Sequence, residues 1–143
     1  MTLPRDIQGQ CMCGAVRAAA RISKPILRAC HCDMCRQQTS AMFMSLAVDD
    51  GTLVLDGPIT TFRSSDWAER GFCGTCGSTL FYATVADGAR HPAAGLFADI
   101  DDVPLKLEFF SDMCPSGYAL AGDHRRLNTE QTIAMFTSPV EGD

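Results

Sequence analysis

Cys30-His31-Cys32-Asp33-Met34-Cys35 decides the reading of this chain. Two further clusters flank it, Cys11-Met12-Cys13 before and Cys73-Gly74-Thr75-Cys76 after, and Cys114 stands alone. In an extended chain, residues i and i+2 point to the same side. Cys11 with Cys13, and Cys30 with Cys32, can therefore each aim two sulfurs at one point. The Cys73-Gly74-Thr75-Cys76-Gly77 knuckle reaches the same end by a tight turn, its glycines letting amide N–H groups approach the thiolates. Zinc takes four donors in a tetrahedron. Cys11, Cys13, Cys73 and Cys76 would close such a site, leave no room for a substrate, and tie the N-terminal strand to the middle of the chain. The central trio Cys30, Cys32 and Cys35 leaves a fourth position for water or a substrate atom, as in catalytic zinc sites. The alternative is that Cys114, an aspartate or a water completes a second structural site.

The composition agrees with metal-binding thiols. Eight cysteines in 143 residues fall below the roughly 8–10% that marks short secreted disulfide scaffolds. The N-terminal Met1–Gln10 stretch has no apolar segment of the secretory kind, and no apolar run is long enough to span a bilayer. The expectation is a cytoplasmic protein with reduced thiols, more often ligands than bridges. Apolar residues make up 46% of the chain, enough for a packed core, and the length predicts a single domain over 1–143. The net charge of −5 argues against nucleic acid as a partner.

Local pattern predicts short strands. Val16, Ala18, Ala20 and Ile22 alternate against Arg17 and Arg21. Strands are expected over 25–30, 41–48, 59–63, 78–84 and 105–110, with Asp49-Asp50-Gly51 turning 52–55 back as a hairpin partner. The stretch 86–94, with Gly88 and Pro92, reads as the most flexible loop. Short helices are expected over 34–39 and from Asn128-Thr129-Glu130-Gln131, a capping box, towards Phe136. His31, between two candidate ligands, reads as a packing or supporting residue. His91 and His124 read as solvated surface, and Cys114 as a free thiol.

Taken together, Gly9-Gln10-Cys11-Met12-Cys13-Gly14, Cys30-His31-Cys32-Asp33-Met34-Cys35-Arg36, Ser64-Ser65, Arg70-Gly71-Phe72-Cys73-Gly74-Thr75-Cys76-Gly77-Ser78 and the acidic stretch 95–102 resemble the glutathione-dependent formaldehyde-activating family, which also includes centromere protein V. The resemblance covers roughly Gly9 to Tyr118. It implies a mainly β fold, the β-tent of short antiparallel sheets around zinc, with one or two short helices. It implies a structural zinc on Cys11, Cys13, Cys73 and Cys76, and a labile, substrate-side zinc on Cys30, Cys32 and Cys35. The implied activity is that of a carbon–sulfur lyase resembling S-(hydroxymethyl)glutathione synthase, which joins a glutathione-like thiol to formaldehyde or a related small aldehyde.

Such a thiol must ionise near neutral pH, and a free thiol with pKa near 8.5 is only a few percent ionised there. A metal at the central trio would supply that ionisation, with Thr39, Ser40 or water as proton source. Glutathione carries two carboxylates, so Arg36, Arg63 and Arg70 are candidate binding residues. Two other readings stand beside this one: a non-catalytic, zinc-stabilised binding module, and a rubredoxin-like iron carrier, against which the single C-x-x-C knuckle argues. A homo-oligomer is possible; no nucleic acid or membrane partner is expected.

Overall fold

The computed structural model describes residues 1–137; positions 138–143 of the expected domain span lie outside the described residues. In chain order the strands are β1 (Arg5–Gln10), β2 (Arg17–Ile22), β3 (Leu27–Cys30), β4 (Phe43–Leu46), β5 (Val54–Asp56), β6 (Ile59–Arg63), β7 (Ala68–Cys73), β8 (Thr79–Thr84), β9 (Arg90–Pro92), β10 (Leu105–Phe109) and β11 (Arg125–Arg126). The helices are α1 (Asp33–Thr39) and α2 (Thr129–Thr137). The mainly β expectation holds. No helix among the described residues is long and apolar enough to cross a membrane.

The chain divides into two compact units. The first comprises Met1–Leu27 with Met44–Pro104, and the second, among the described residues, comprises Arg28–Phe43 with 105–137. The first unit holds two antiparallel sheets, ordered β1-β2-β5 and β6-β7-β8-β9. Its core follows the alternation in the sequence: Val16, Ala18, Ala20 and Ile22 are buried with Ile7, Leu80, Phe81, Leu96 and Phe97, while Arg17 and Arg21 face water. Full burial of an aliphatic side chain of this size stabilises by about 1.5–3 kcal/mol.

Two local expectations are corrected. The 52–55 segment does not return along 41–48; β5 instead pairs antiparallel with β2, Ala18 opposite Leu55. Its approach is captured at Asp49, whose amide donates to the Arg21 carbonyl and whose carboxylate accepts from the Ser23 amide and hydroxyl, while the Arg21 amide donates to Thr52 Oγ1. These contacts direct the chain onto the open edge of β2 before a hairpin can close. The 86–94 loop is also shorter than expected. Arg90–Pro92 pairs with β8, and a single 3-10 turn follows at Ala94–Leu96, leaving only the turn between β8 and β9 irregular. Three residues are too few for periodicity to betray a strand.

Gly9 marks a close crossing, where β1 bridges to Phe97. A β-carbon there would lie 2.0 Å from the Leu96 carbonyl oxygen, a backbone atom that cannot swing aside. Gly9→Ala is expected to destabilise the chain by about 2–4 kcal/mol, measured by denaturant titration; an unchanged midpoint would show that the crossing has room to spare.

In the second unit β10 lies between β11, with which it pairs in parallel, and β3. The predicted capping box forms in both directions: the Gln131 amide donates to Asn128 Oδ1 at 2.8 Å and the Asn128 amide to Gln131 Oε1 at 2.9 Å. Helix α2 opens there as expected.

Candidate metal centres

The first cluster lies within the first unit. The sulfurs of Cys11, Cys13, Cys73 and Cys76 all lie within 4.8 Å of one another. Cys11 Sγ and Cys13 Sγ are 3.6 Å apart, and Cys13 Sγ and Cys73 Sγ 3.8 Å. Sulfurs at a tetrahedral zinc, each about 2.3 Å from the metal, would be roughly 3.8 Å apart. Disulfide sulfurs would be near 2.05 Å, so these are gathered thiols, and all eight cysteines are free. Cys11–Cys13 departs from expectation in one respect: it lies in a turn just after β1, not on the extended strand. The Gly14 amide closes that turn on the Cys11 carbonyl at 3.1 Å, and the Val16 amide donates to Cys11 Sγ at 3.3 Å. The knuckle behaves as predicted. The Thr75 and Cys76 amides each donate to Cys73 Sγ at 3.4 Å, and Gly77 takes the left-handed backbone that ends the turn.

Without a cation these thiols cannot all ionise. The Ser78 hydroxyl, and then its backbone amide, hold Cys76 down at about 5. For Cys13 the Ala15 amide pulls downward, but lost hydration and the sulfurs of Cys76, Cys11 and Cys73 push it up to about 11. One thiolate suppresses its neighbours, and a divalent cation relieves that repulsion. The donor set and its spacing thus fit zinc.

The second cluster lies within the second unit. Cys30 ends β3, Cys32 caps α1, and Cys35 lies one turn on; their sulfurs lie within 4.8 Å of one another. The extended backbone at Cys32 and the helical turn after it produce this convergence. Cys32 Sγ accepts from the Cys35 amide at 3.4 Å. Among the described residues no fourth His, Cys, Asp or Glu joins the trio within that radius. Hydrogen bonding to Cys32 and Cys35, then burial and the charge of the neighbouring sulfurs, push the Cys30 thiol far above its ordinary value, so the three could ionise together only with a cation's help. Cys114 is a half-buried free thiol near the Pro115 and Tyr118 carbonyls.

Three sulfurs converge, then, and among the described residues no fourth His, Cys, Asp or Glu completes the set. The family model for the glutathione-dependent formaldehyde-activating enzyme matches residues 6–112. This chain belongs to that family. A curated relative, an uncharacterized lyase of Schizosaccharomyces pombe, is 32% identical over 130 residues, covering 90% of this chain and 95% of that protein. A crystal structure of a Rhodobacter sphaeroides protein superposes with a TM-score of 0.56 at 20% identity, covering 66% of this chain and 91% of that one, which supports the fold. Within this formaldehyde-activating family member, both cysteine groupings implied by the resemblance come together as predicted.

The candidate arginines are placed differently. Arg36 stands on α1 next to Cys35; its Nε donates to the His31 carbonyl at 3.1 Å and its Nη2 pairs with Asp33. Arg63 ends β6 and donates to the Ser65 and Asp66 carbonyls, both at 2.9 Å. Arg70 is buried on β7, 4% exposed, with its guanidinium 5.1 Å from the Tyr82 ring centroid. Arg63 and Arg70 thus belong to the first unit and Arg36 to the second.

Two histidine expectations need revision. His91 is half-buried and stacks on Tyr82, with ring centroids 6.0 Å apart. The His124 side chain is 1% exposed and bonds Glu108, which also binds His31. Sequence reading missed Glu108. On the alternating 105–109 segment it shares the side of Lys106 and so reads as outward-facing, since carboxylates are almost never fully buried without a partner.

Proposed function

We propose that this protein is a zinc-dependent carbon–sulfur lyase that adds a glutathione-like thiol to formaldehyde or a related small aldehyde, with Cys30, Cys32 and Cys35 forming the reactive centre. The family's description and the lyase relative support a formaldehyde-activating, lyase-like role. The observation that carries the finer reading is the trio of gathered sulfurs with no fourth protein ligand among the described residues.

A divalent ion on this trio would supply positive charge that keeps an incoming thiol ionised at neutral pH. The chain supplies the rest. Cys11, Cys13, Cys73 and Cys76 hold a second zinc in a structural role. In the reaction the thiol S–H and the carbonyl π bond break, a sulfur–carbon bond forms, and the carbonyl oxygen takes up a proton. The Thr39 hydroxyl is within 3.0 Å of each of the Cys35, Ala41 and Met42 carbonyls and so has no free proton to offer, leaving Ser40 or solvent as donor. Arg36, on the helix that carries Cys35, is proposed to bind a carboxylate of the thiol. We place the protein in the cytoplasm.

The test combines metal analysis with exchange kinetics. Two zinc ions per chain are expected, from four plus three ligands. NMR of labelled formaldehyde with glutathione is expected to show adduct formation accelerated in proportion to protein. If the two-zinc protein gives no acceleration over buffer containing the same zinc, the lyase reading is lost and the binding module is left.

A further inference from the structure

Glu108, on β10, carries a carboxylate that is only 4% exposed. Its Oε1 lies 2.7 Å from His31 Nε2, while its Oε2 faces His124 Nε2 and lies 3.2 Å from Arg126 Nε. Burial pushes this carboxyl up, but the hydrogen bonds from His124 and His31 outweigh it and hold it below the ordinary carboxylate range. It is therefore ionised at neutral pH, and both ring Nε2–H groups donate to it. The two rings are 0% and 1% exposed, and neither Nδ1 has a hydrogen-bond partner among the described residues. Among the described residues, Glu108 is thus the hydrogen-bonding anchor of both rings.

His31 is also the residue between Cys30 and Cys32. Its amide donates to the Phe109 carbonyl at 3.1 Å, and its own carbonyl accepts from Arg36 Nε. Ring, amide and carbonyl are all held, so the backbone that joins Cys30 to Cys32 is held with them. Stability alone explains this arrangement poorly: burying a carboxylate costs about as much desolvation as its hydrogen bonds and the Arg126 ion pair return, and apolar side chains of the same volume often serve as well. His124 and Arg126 lie beyond residue 112, where the family match ends, so this chain's own later segment supplies the outer half of the clamp.

We propose that Glu108 is a positioning residue for the Cys30/Cys32/Cys35 metal site, acting through His31, with His124 and Arg126 holding the carboxylate in place. The inference rests on the reading of that trio as a metal site. Supporting partners of metal ligands commonly alter metal affinity 10–100-fold when removed. The Cys11/Cys13/Cys73/Cys76 centre is an internal control, since its hydrogen bonds come from amides and Ser78.

The experiment is a competitive chelator titration of the full-length, metal-loaded chain, with cadmium-113 NMR to tell the four-sulfur ion from the three-sulfur ion. E108Q and His31→Phe are each expected to weaken the three-sulfur ion about 10–100-fold and leave the four-sulfur ion as in wild type. His31→Gln, which keeps an N–H donor, is expected to stay within about threefold of wild type by the same reasoning. Should E108Q fail to fold, the His31→Phe and His31→Gln pair decides alone. Equal weakening of both ions, or no difference between the two His31 variants, overturns the inference while leaving the lyase reading intact. A wild-type chain that holds one ion only overturns both.

Discussion

Cys73→Ser is expected to leave the first unit without a stable fold. Cys73 is 1% exposed and belongs to the core cluster of that unit. Its sulfur accepts two knuckle amides, and its carbonyl accepts the Gly77 amide that closes the turn. A structural zinc site contributes on the order of 10 kcal/mol to folding, against a total domain stability of roughly 5–15 kcal/mol. The missing ligand would therefore remove most of the stability. Serine binds zinc far more weakly than a thiolate, and its shorter hydroxyl would leave two amides under-bonded. The expected result is insoluble protein, or soluble protein with no cooperative thermal transition in circular dichroism. Prolonged chelation of the wild-type chain should reach the same state, and restored zinc should reverse it. A Cys73→Ser chain that melts at the wild-type temperature would show that the four gathered thiols do not need an ion to hold the fold.

Which sulfurs can gather within a cluster was legible because that chemistry is local, as is the side-chain alternation of β2; that Cys11 and Cys13 meet Cys73 and Cys76, sixty residues on, is a tertiary fact that spacing alone does not carry. The partner of β5 was not legible. Asp49-Asp50-Gly51 does turn the chain, but the destination is set by Asp49 contacts to Arg21 and Ser23, more than twenty residues away in sequence. Glu108 was hidden for the same reason. Its burial depends on His31 and His124, which lie far from it in the chain and come together only in the folded second unit. A charged residue on a predicted strand reads as outward-facing until its partners are known. Ligands within one cluster are coded by spacing, whereas the meeting of two clusters, like a buried ion cluster, is coded by tertiary neighbours.

That distinction sharpens the second large effect, expected for Cys32→Ser. Cys32 occupies the N-cap of α1, where its sulfur accepts the Cys35 amide. Serine is among the best residues at this position, and its oxygen can accept the same amide. The local structure should survive the change, with melting shifted by no more than a few degrees for a stability change of about 1 kcal/mol. The loss falls on the metal instead. A trio reduced to two thiolates lacks the minimum of three protein ligands found in catalytic zinc sites, so one of the two ions should go while the four-sulfur ion remains. Thiol-dependent adduct formation should then drop to the rate of the uncatalysed solution reaction. The two cysteine variants thus dissociate folding from chemistry: Cys73→Ser removes the fold, and Cys32→Ser removes the reaction from a chain that still folds. If Cys32→Ser keeps its second ion and its rate, the trio is not the reactive centre. If it unfolds as Cys73→Ser does, the second site is a structural staple, and the fourth corner has a protein or solvent ligand of its own.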